Sequence, residues 1–281
     1  MENLSFIKMH GLGNDFIIID TRDLDFLLKP NEIKYLSNRR FGIGCDQLVL
    51  IKNSEDGIAD FQILIFNSDG SEAESCGNAT RCVGKLLLKE LKTKNVVIET
   101  KGGLVDIEEL KNGMISVDMG VAKFNWDEIP LSHPMDTRNL GIKLKNLNEG
   151  FSVSLGNPHV VFFCDQIDRI NMKEECIKVS KMKIFPAGVN VNIAMVKSRK
   201  LIELQVYERG SGFTDACGTG ACATLIAAYN KNLTDRNSII RMRGGDLEIS
   251  FLSDNHILMT GPVSEVYKGL VNLKDLRVNI K

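Results

Sequence analysis

The chain has no apolar run approaching the roughly 18 residues a membrane span needs. It has no excess of either charge: 35 Lys and Arg stand against 36 Asp and Glu, a formal net charge of -1. That balance removes the electrostatic case for nucleic acid or an anionic membrane as the main partner. Cys-x-x-Cys and His-Glu-x-x-His are absent and the four histidines are scattered, so no metal site is expected. Gly11-Leu12-Gly13-Asn14-Asp15-Phe16 begins like a dinucleotide loop but lacks the third glycine. Gly84-Lys85 has no phosphate loop before it, and Leu86 stands where Ser or Thr is required. Met1 to Lys8 is too short and mixed for an export signal, since strand-like sequence begins at once. Seven cysteines are an odd number without regular spacing, which reads as cytoplasmic thiols rather than a disulfide framework. The glycosylation sequon Asn78-Ala79-Thr80 has no meaning in that compartment.

What is present is an ordinary globular composition, 43% hydrophobic and 25% charged, enough to bury a sizeable core and exclude disorder as the main state. At 281 residues the chain makes one large domain or two of about 140 residues. Short apolar runs rich in Val, Ile and Phe predict strands at Phe16–Ile19, Leu48–Ile51, Phe61–Phe66, Val96–Ile98, Val160–Phe163, Val189–Val196, Leu201–Tyr207 and Leu247–Leu252. Helical spacing marks Gly77–Lys92, and an Ala-rich stretch apolar nearly all round marks a buried helix at Gly218–Tyr229. A weaker helix covers Asn31–Asn38. The class is α+β. Val121–Gly150, with two prolines and weak periodicity, is expected to be a linker or excursion.

The two halves repeat one another. Gly11 to Phe16 followed by an apolar run has a counterpart in Ser154-Leu155-Gly156-Asn157-Pro158-His159 followed by Val160–Phe163. Phe41-Gly42-Ile43-Gly44-Cys45-Asp46 has one in Phe185-Pro186-Ala187-Gly188-Val189-Asn190. Phe66-Asn67 leading to Cys76-Gly77-Asn78 sits beside Tyr207-Glu208 leading to Cys217-Gly218-Thr219, at a constant offset of 141 residues; the other blocks are offset by 143 and 144. Three blocks in the same order at nearly one offset imply a duplicated, pseudo-two-fold fold. In such a fold equivalent positions face each other across a cleft, placing Cys76 opposite Cys217.

Both cysteines fall after a strand and a turn, just before a helix. A helix N-terminus offers unpaired N–H groups and partial positive charge, which lower a thiol's pKa from its usual ~8.5 and bind anions. Two such turns suit two-base chemistry: one thiolate takes a proton from a carbon, and the opposite thiol returns one to the other face. A single cysteine at a helix start is more often a small buried hydrophobe. Two at matched repeat positions, each followed by glycine, favour function. Cys82 and Cys222 fall inside the helices at apolar positions and read as core; Cys45, Cys164 and Cys176 have no partner pattern and read as structural. A Cys76–Cys217 disulfide would be an oxidised, inactivated form.

Asn14, Asn67, Asn157 and Asn190 all border apolar runs in the repeat blocks. Any one alone is a turn residue; four together suggest a polar cleft for a small zwitterion. Glu208-Arg209 reads either as a surface ion pair of little worth or as a site pair. In the second reading Arg209 clamps a carboxylate and Glu208 takes an ammonium or tunes a thiol. His159 is placed to hold a cysteine in its reactive charge state, although a lone histidine is more often structural.

Over essentially its full length the sequence resembles the diaminopimelate epimerase family. Lys8-Met9-His10-Gly11-Leu12-Gly13-Asn14-Asp15-Phe16 resembles that family's opening motif, and Cys76-Gly77-Asn78 with Arg81-Cys82 its first cysteine motif. Gly156-Asn157-Pro158-His159, Glu208-Arg209-Gly210 and Ala216-Cys217-Gly218-Thr219-Gly220 resemble its later ones. The cysteine turns are shared with proline racemases; the opening motif and Glu208-Arg209-Gly210 are more specific. Ala79 departs from the usual glycine, a mild change at a helix start.

The resemblance implies a cofactor-independent epimerase interconverting LL- and meso-diaminopimelate on the bacterial route to lysine and peptidoglycan precursors. Cys76 and Cys217 would be the acid/bases. Asn14, Gln47, Asn67, Gly77, Asn78, Asn157, Asn190, Glu208, Arg209, Gly218 and Thr219 would hold substrate, and His159 and Glu208 would adjust the thiols. It further implies two similar lobes, each a strongly bent mixed sheet or barrel around a central helix: 1–120 plus 263–281, carrying Cys76, and 121–262, carrying Cys217. It implies a homodimer with Tyr267 at the interface, and a partner list of small-molecule substrate without nucleic acid or membrane. The alternatives are a proline-type racemase of the same fold, a binding module, and a redox switch built on the paired thiols.

Overall fold

The computed structural model of the chain describes residues 3–24, 28–55, 57–167 and 169–272, and for 169–171 the backbone alone. Residues 273–281 of the tail expected in the first lobe lie outside the described residues. The chain divides into two units, Met1–Val117 with Gly261–Lys281, and Asp118–Thr260.

In the first unit β1 (Asn3–Gly11) and β2 (Asn14–Asp20) form an antiparallel hairpin. After α1 (Pro30–Ser37), β3 (Gln47–Asn53) lies parallel to β2, and β4 (Phe61–Asn67) returns antiparallel to β3 and pairs with the short β5 (Glu72–Ala73). Then comes α2 (Gly77–Leu91), followed by β6 (Asn95–Thr100) parallel to β4, β7 (Gly103–Glu109) antiparallel to β6, and β8 (Ile115–Val121), which leads out.

The second unit opens with a two-residue pair, β9 (Ile142–Lys143) and β10 (Asn148–Glu149), and then repeats this order. β11 (Phe151–Ser154) is antiparallel to β12 (Pro158–Phe163), α3 (Arg169–Ser180) follows, and β13 (Asn190–Ser198) is parallel to β12. β14 (Leu201–Glu208) is antiparallel to β13 and pairs with β15 (Gly212–Thr214). After α4 (Gly218–Asn230), β16 (Asn237–Met242) is parallel to β14, β17 (Gly245–Phe251) antiparallel to β16, and β18 (His256–Gly261) antiparallel to β17. The last strand, β19 (Ser264–Asn272), pairs antiparallel with β1 in the first unit. The repeat seen in sequence is therefore a repeat of topology, element for element. The class is α+β.

Each unit wraps its strands around one helix. α2 packs on β1, β2, β3, β6 and β7, and α4 on β11, β12, β13, β14, β16 and β17. α4 has no polar face: Ala221 to Ala228 are all buried, so the helix is stable only inside a sheet shell. α2 is one-sided, burying Ala79, Cys82, Val83, Leu87 and Leu88 and exposing Lys89 and Glu90. No helix among the described residues is long and apolar enough to cross a membrane.

One expectation is corrected here, and one element was not predicted. The stretch 121–150 is not a linker: Ile129, Leu131, Ile142 and Leu147 are buried in the same core cluster as Met172, Cys176 and Val179 of α3. The excursion is tied down by Glu175 of α3, whose carboxylate accepts from the Asn146 and Leu147 backbone N–H groups and from Asn146 Nδ2 at 2.6 Å. α3 itself was not foreseen. Met172, Cys176 and Val179 stand at helical spacing, but Lys173, Glu174, Glu175 and Lys178 dilute the apolar signal.

Candidate active site

The two cysteines occupy the same place in the two topologies. Cys76 is the N-cap of α2 with φ -153° and ψ 103°, and Cys217 the N-cap of α4 with φ -139° and ψ 112°. In each case an extended residue begins the helix with its own carbonyl. Cys76 O accepts from Thr80 N at 2.9 Å, and Cys217 O from Ala221 N at 3.0 Å. Neither helix has an acidic residue in its first turn, so the N–H groups there are not already claimed by a side-chain carboxylate of the helix.

In the first unit Cys76 is half-buried and its Sγ lies 3.9 Å from Asn14 Oδ1, the acceptor. The Asn14 amide is oriented from both ends. Its Nδ2 donates to Asp46 Oδ2 at 3.0 Å, and its Oδ1 also accepts from Asn78 Nδ2 at 3.2 Å. Asn78 Oδ1 in turn accepts from the fully buried Arg81 at 2.9 Å. Arginine only donates and a carboxylate only accepts, so the direction of this row of amides is fixed. Asp46 is held by Arg39, which forks onto Asp15, and Asp15 pairs with the buried Lys8. Asp15 pays desolvation that raises its pKa, but the Arg39 and Lys8 contacts outweigh it and hold the carboxyl well below its usual range. Gln47 and Asn67 face each other across β3 and β4, with Gln47 Nε2 donating to Asn67 Oδ1 at 3.0 Å.

In the second unit Cys217 is buried, its Sγ 3.6 Å from Thr219 Oγ1. Asn157 Nδ2 donates to Thr219 Oγ1 at 3.3 Å, and Asn157 Oδ1 lies 3.1 Å from His159 Nε2. His159 has no exposed surface; burial drives its pKa down to about 3, so the ring is neutral. Glu208 ends β14 and accepts from Thr214 Oγ1 across the β14–β15 hairpin. Arg209 N donates to Asn190 Oδ1 at 2.9 Å and Arg209 Nη1 to Ala187 O at 2.6 Å, leaving the rest of an exposed guanidinium fork for a carboxylate. Its methylenes lie over Gly188, where a Cβ would sit 2.9 Å from Arg209 Cδ.

The thiol at Cys217 differs from the expectation. Burial pushes it well above the ordinary range and Glu208 adds to the rise, outweighing the Thr219 hydroxyl and the Gly220 N–H that favour the thiolate. A helix N-terminus alone does not make a thiolate here. Cys82 and Cys222 are fully buried in the helices, and burial lifts the Cys82 thiol to about 12. Cys45 and Cys176 lie in the cores, and none of the seven cysteines is in a disulfide. Among the described residues no group of three or more His, Cys, Asp or Glu is placed to hold a metal.

The structure brings Asn14, Cys76 and Asn78 together in one unit, and Asn157, His159, Cys217 and Thr219 in the other. Asn190 meets Arg209 rather than a thiol, and Tyr267 sits on β19 opposite Lys8 in the β1–β19 ladder. Sequence reasoning missed Asp46, Arg81 and Asn192. For Asn192 a signal existed: it follows Asn190 at strand period two on the same face.

Gly220 is a further residue the geometry requires. A Cβ there would lie 2.7 Å from Asn192 Oδ1, 3.0 Å from Val206 Cγ2 and 3.3 Å from Cys217 Sγ. Gly220→Ala is expected to push the first turn of α4 off the strands and lower turnover at least tenfold, with a loss of about 1–3 kcal/mol in unfolding free energy. Steady-state kinetics and urea melts check this; wild-type values in both would show the packing to be looser than described.

A sequence profile of the family described as diaminopimelate epimerase matches residues 6–125 and 151–266. The chain is 44% identical over 265 residues to a diaminopimelate epimerase of Zymomonas mobilis, covering 94% of this chain and 96% of that protein. It is 42% identical over 277 residues to one of Pelagibacter ubique, covering 97% and 99%. Among solved structures, a hydroxyproline epimerase from Agrobacterium vitis superposes with TM-score 0.67 at 14% identity, covering 97% of this chain and 94% of that one. A Bacillus anthracis phenazine biosynthesis protein of the PhzF family superposes with TM-score 0.68 at 16% identity, covering 96% and 99%. At those identities the two structures speak for the fold alone.

Proposed function

This chain belongs to the diaminopimelate epimerase family, and from that premise we propose that Cys76 and Cys217 are the two acid/bases of its reaction. The enzyme is an isomerase that interconverts LL- and meso-diaminopimelate. The observation that carries the assignment is the matched pair of N-cap cysteines, each at the same point of a repeated topology and each with its own oriented polar row.

An α-proton of an amino acid is weakly acidic, so the site must stabilise the carbanion-like transition state strongly. The open N-termini of α2 and α4 supply N–H donors for the α-carboxylate without a cofactor. Cys217, held as the thiol, enters as acid and Cys76 as base in one direction; the roles exchange in the other. Asn14, Gln47, Asn67, Gly77, Asn78, Asn157, Asn190, Gly218 and Thr219 hold the substrate. Arg209 takes the distal carboxylate and Glu208 the distal ammonium. His159 and Glu208 adjust the thiols, Glu208 by charge and His159 through the amides it touches.

The working form is a homodimer in the cytoplasm. Val266, Tyr267 and Leu270 of β19 are exposed, an apolar surface that supports a contact there, and seven cysteines without a disulfide support a reducing compartment. Nucleic acid and membrane are not partners.

The test is turnover of LL-diaminopimelate by the reduced protein in deuterated water, followed by NMR and chiral chromatography. Loss of the α-proton signal with appearance of the meso form is expected. Activity on proline alone would move the chain to the racemases, and no exchange with any amino acid would leave a binding or redox role.

A further inference from the structure

Asn192 stands on β13 two residues beyond Asn190, with no exposed surface. Its Nδ2 donates to Val160 O at 3.2 Å and lies 3.1 Å from His159 Nδ1. The carbonyl of Val160 only accepts, so the amide nitrogen, not the oxygen, must point this way. Both its hydrogens are then used, one on the carbonyl and one on the ring. His159 Nδ1 is therefore the bare nitrogen, and Nε2 carries the proton and donates to Asn157 Oδ1 at 3.1 Å. That leaves Asn157 Nδ2 to donate to Thr219 Oγ1. With its oxygen so engaged, the Thr219 hydroxyl has its hydrogen left for Cys217 Sγ.

We infer that Asn192 is a positioning residue which, through the tautomer of His159 and the amide of Asn157, points the Thr219 hydroxyl hydrogen at Cys217. The inference rests on the reading of Cys217 as one of the acid/bases. A second observation supports it. Asn192 Oδ1 is buried with no hydrogen-bond partner among the described residues and lies against Gly220 in the first turn of α4. An orphaned buried amide oxygen carries a desolvation penalty that stability alone would not select. Its presence is explained if the nitrogen end is what matters.

The row works by direction rather than by charge. His159 is neutral, with burial as the main cause and Arg209 adding to it. What it transmits is which atom of each neighbour donates. When Cys217 gives up its proton, the Thr219 hydroxyl and the Gly220 N–H are already aimed at the sulfur, against the opposing charge of Glu208.

The test uses the full chain with 15N-labelled histidine, the His159 ring assigned by its absence in His159→Gln. In the unaltered protein His159 is expected to show a protonated Nε2 and a bare Nδ1, unchanged from pH 6 to 9. Asn192→Asp replaces the donor with an acceptor of the same shape. It should move the ring proton to Nδ1, lower kcat at least tenfold with KM within threefold, and shift the pH profile of Cys217 alkylation upward. An Nδ1–H or imidazolium ring in the unaltered protein would overturn the inference, whether or not the variant folds. So would a loss of kcat in Asn192→Asp with the Cys217 alkylation profile unmoved, since that marks a merely structural role. Persistence of interconversion in Cys217→Ala would sink the acid/base reading instead, and leaves the ring spectrum as it is.

Discussion

Cys76→Ala and Cys217→Ala are each expected to lower interconversion of LL- and meso-diaminopimelate by about a thousandfold or more. General acid–base groups contribute typically 10²–10⁴ in rate, and a thousandfold corresponds to about 4 kcal/mol of transition-state stabilisation. Inversion needs a base on one face of the carbon and an acid on the other, so under the two-base proposal neither thiol can be spared. The finer expectation separates the two variants. Each keeps one sulfur, so each retains slow washout of the α-proton from one stereoisomer without forming the other. Measured in deuterated water, Cys217→Ala should exchange the isomer that Cys76 reaches, and Cys76→Ala the opposite one. Exchange of both isomers by either variant would mean that one base serves both faces. The loss is not one of folding. Both cysteines take up extended N-cap backbone geometry, which alanine also adopts, so each variant is expected to keep its helix and its melting transition.

Much of this was legible in the sequence, because the repeat is written in residue types with few other uses. A strand end, a polar turn and Cys-Gly before an apolar helix, twice at an offset of 141, gives both the topology and the pair. Six of the eight apolar runs fall within strands and the other two overrun theirs by one residue, Val189 before β13 and Leu252 after β17, since fully buried strands read as continuous Val, Ile and Phe. Strands with exposed faces were harder: β19 is exposed along most of its length, and its place beside β1 is a long-range pairing that no local pattern encodes. α3 was lost to its charged residues. In the site, single asparagines beside apolar runs were visible, but their partners were not. Asp46 looks like a loop residue until it is seen holding Asn14 Nδ2, and Arg81 like a helix-surface arginine until it is found fully buried on Asn78. The state of the Cys217 thiol was the least legible feature, since it depends on burial and on Glu208 rather than on the helix end.

That state sets the second large effect, the order in which iodoacetamide labels the cysteines. The thiolate is the nucleophile, so reactivity is the product of thiolate fraction and access. Cys217 is low on both counts: it is 6% exposed, and burial with Glu208 holds it as the thiol. Cys45, Cys82, Cys176 and Cys222 are buried, and Cys164, though half-buried like Cys76, has its thiol pushed up by burial. Cys76 is partly accessible and sits at the N-terminus of α2. At pH 7.5 it is expected to be labelled about 100 times faster than Cys217, with loss of activity tracking its labelling one for one. The sign with pH follows from the raised thiol. Below its pKa the thiolate fraction of Cys217 grows tenfold per pH unit, so its labelling should still be climbing steeply between pH 7 and 9. Peptide mapping by mass spectrometry over time reads both. Labelling of Cys217 ahead of Cys76 would exchange the acid and base assigned to the resting enzyme and leave the two-base chemistry standing. Inactivation running ahead of any Cys76 labelling would remove Cys76 from the reaction.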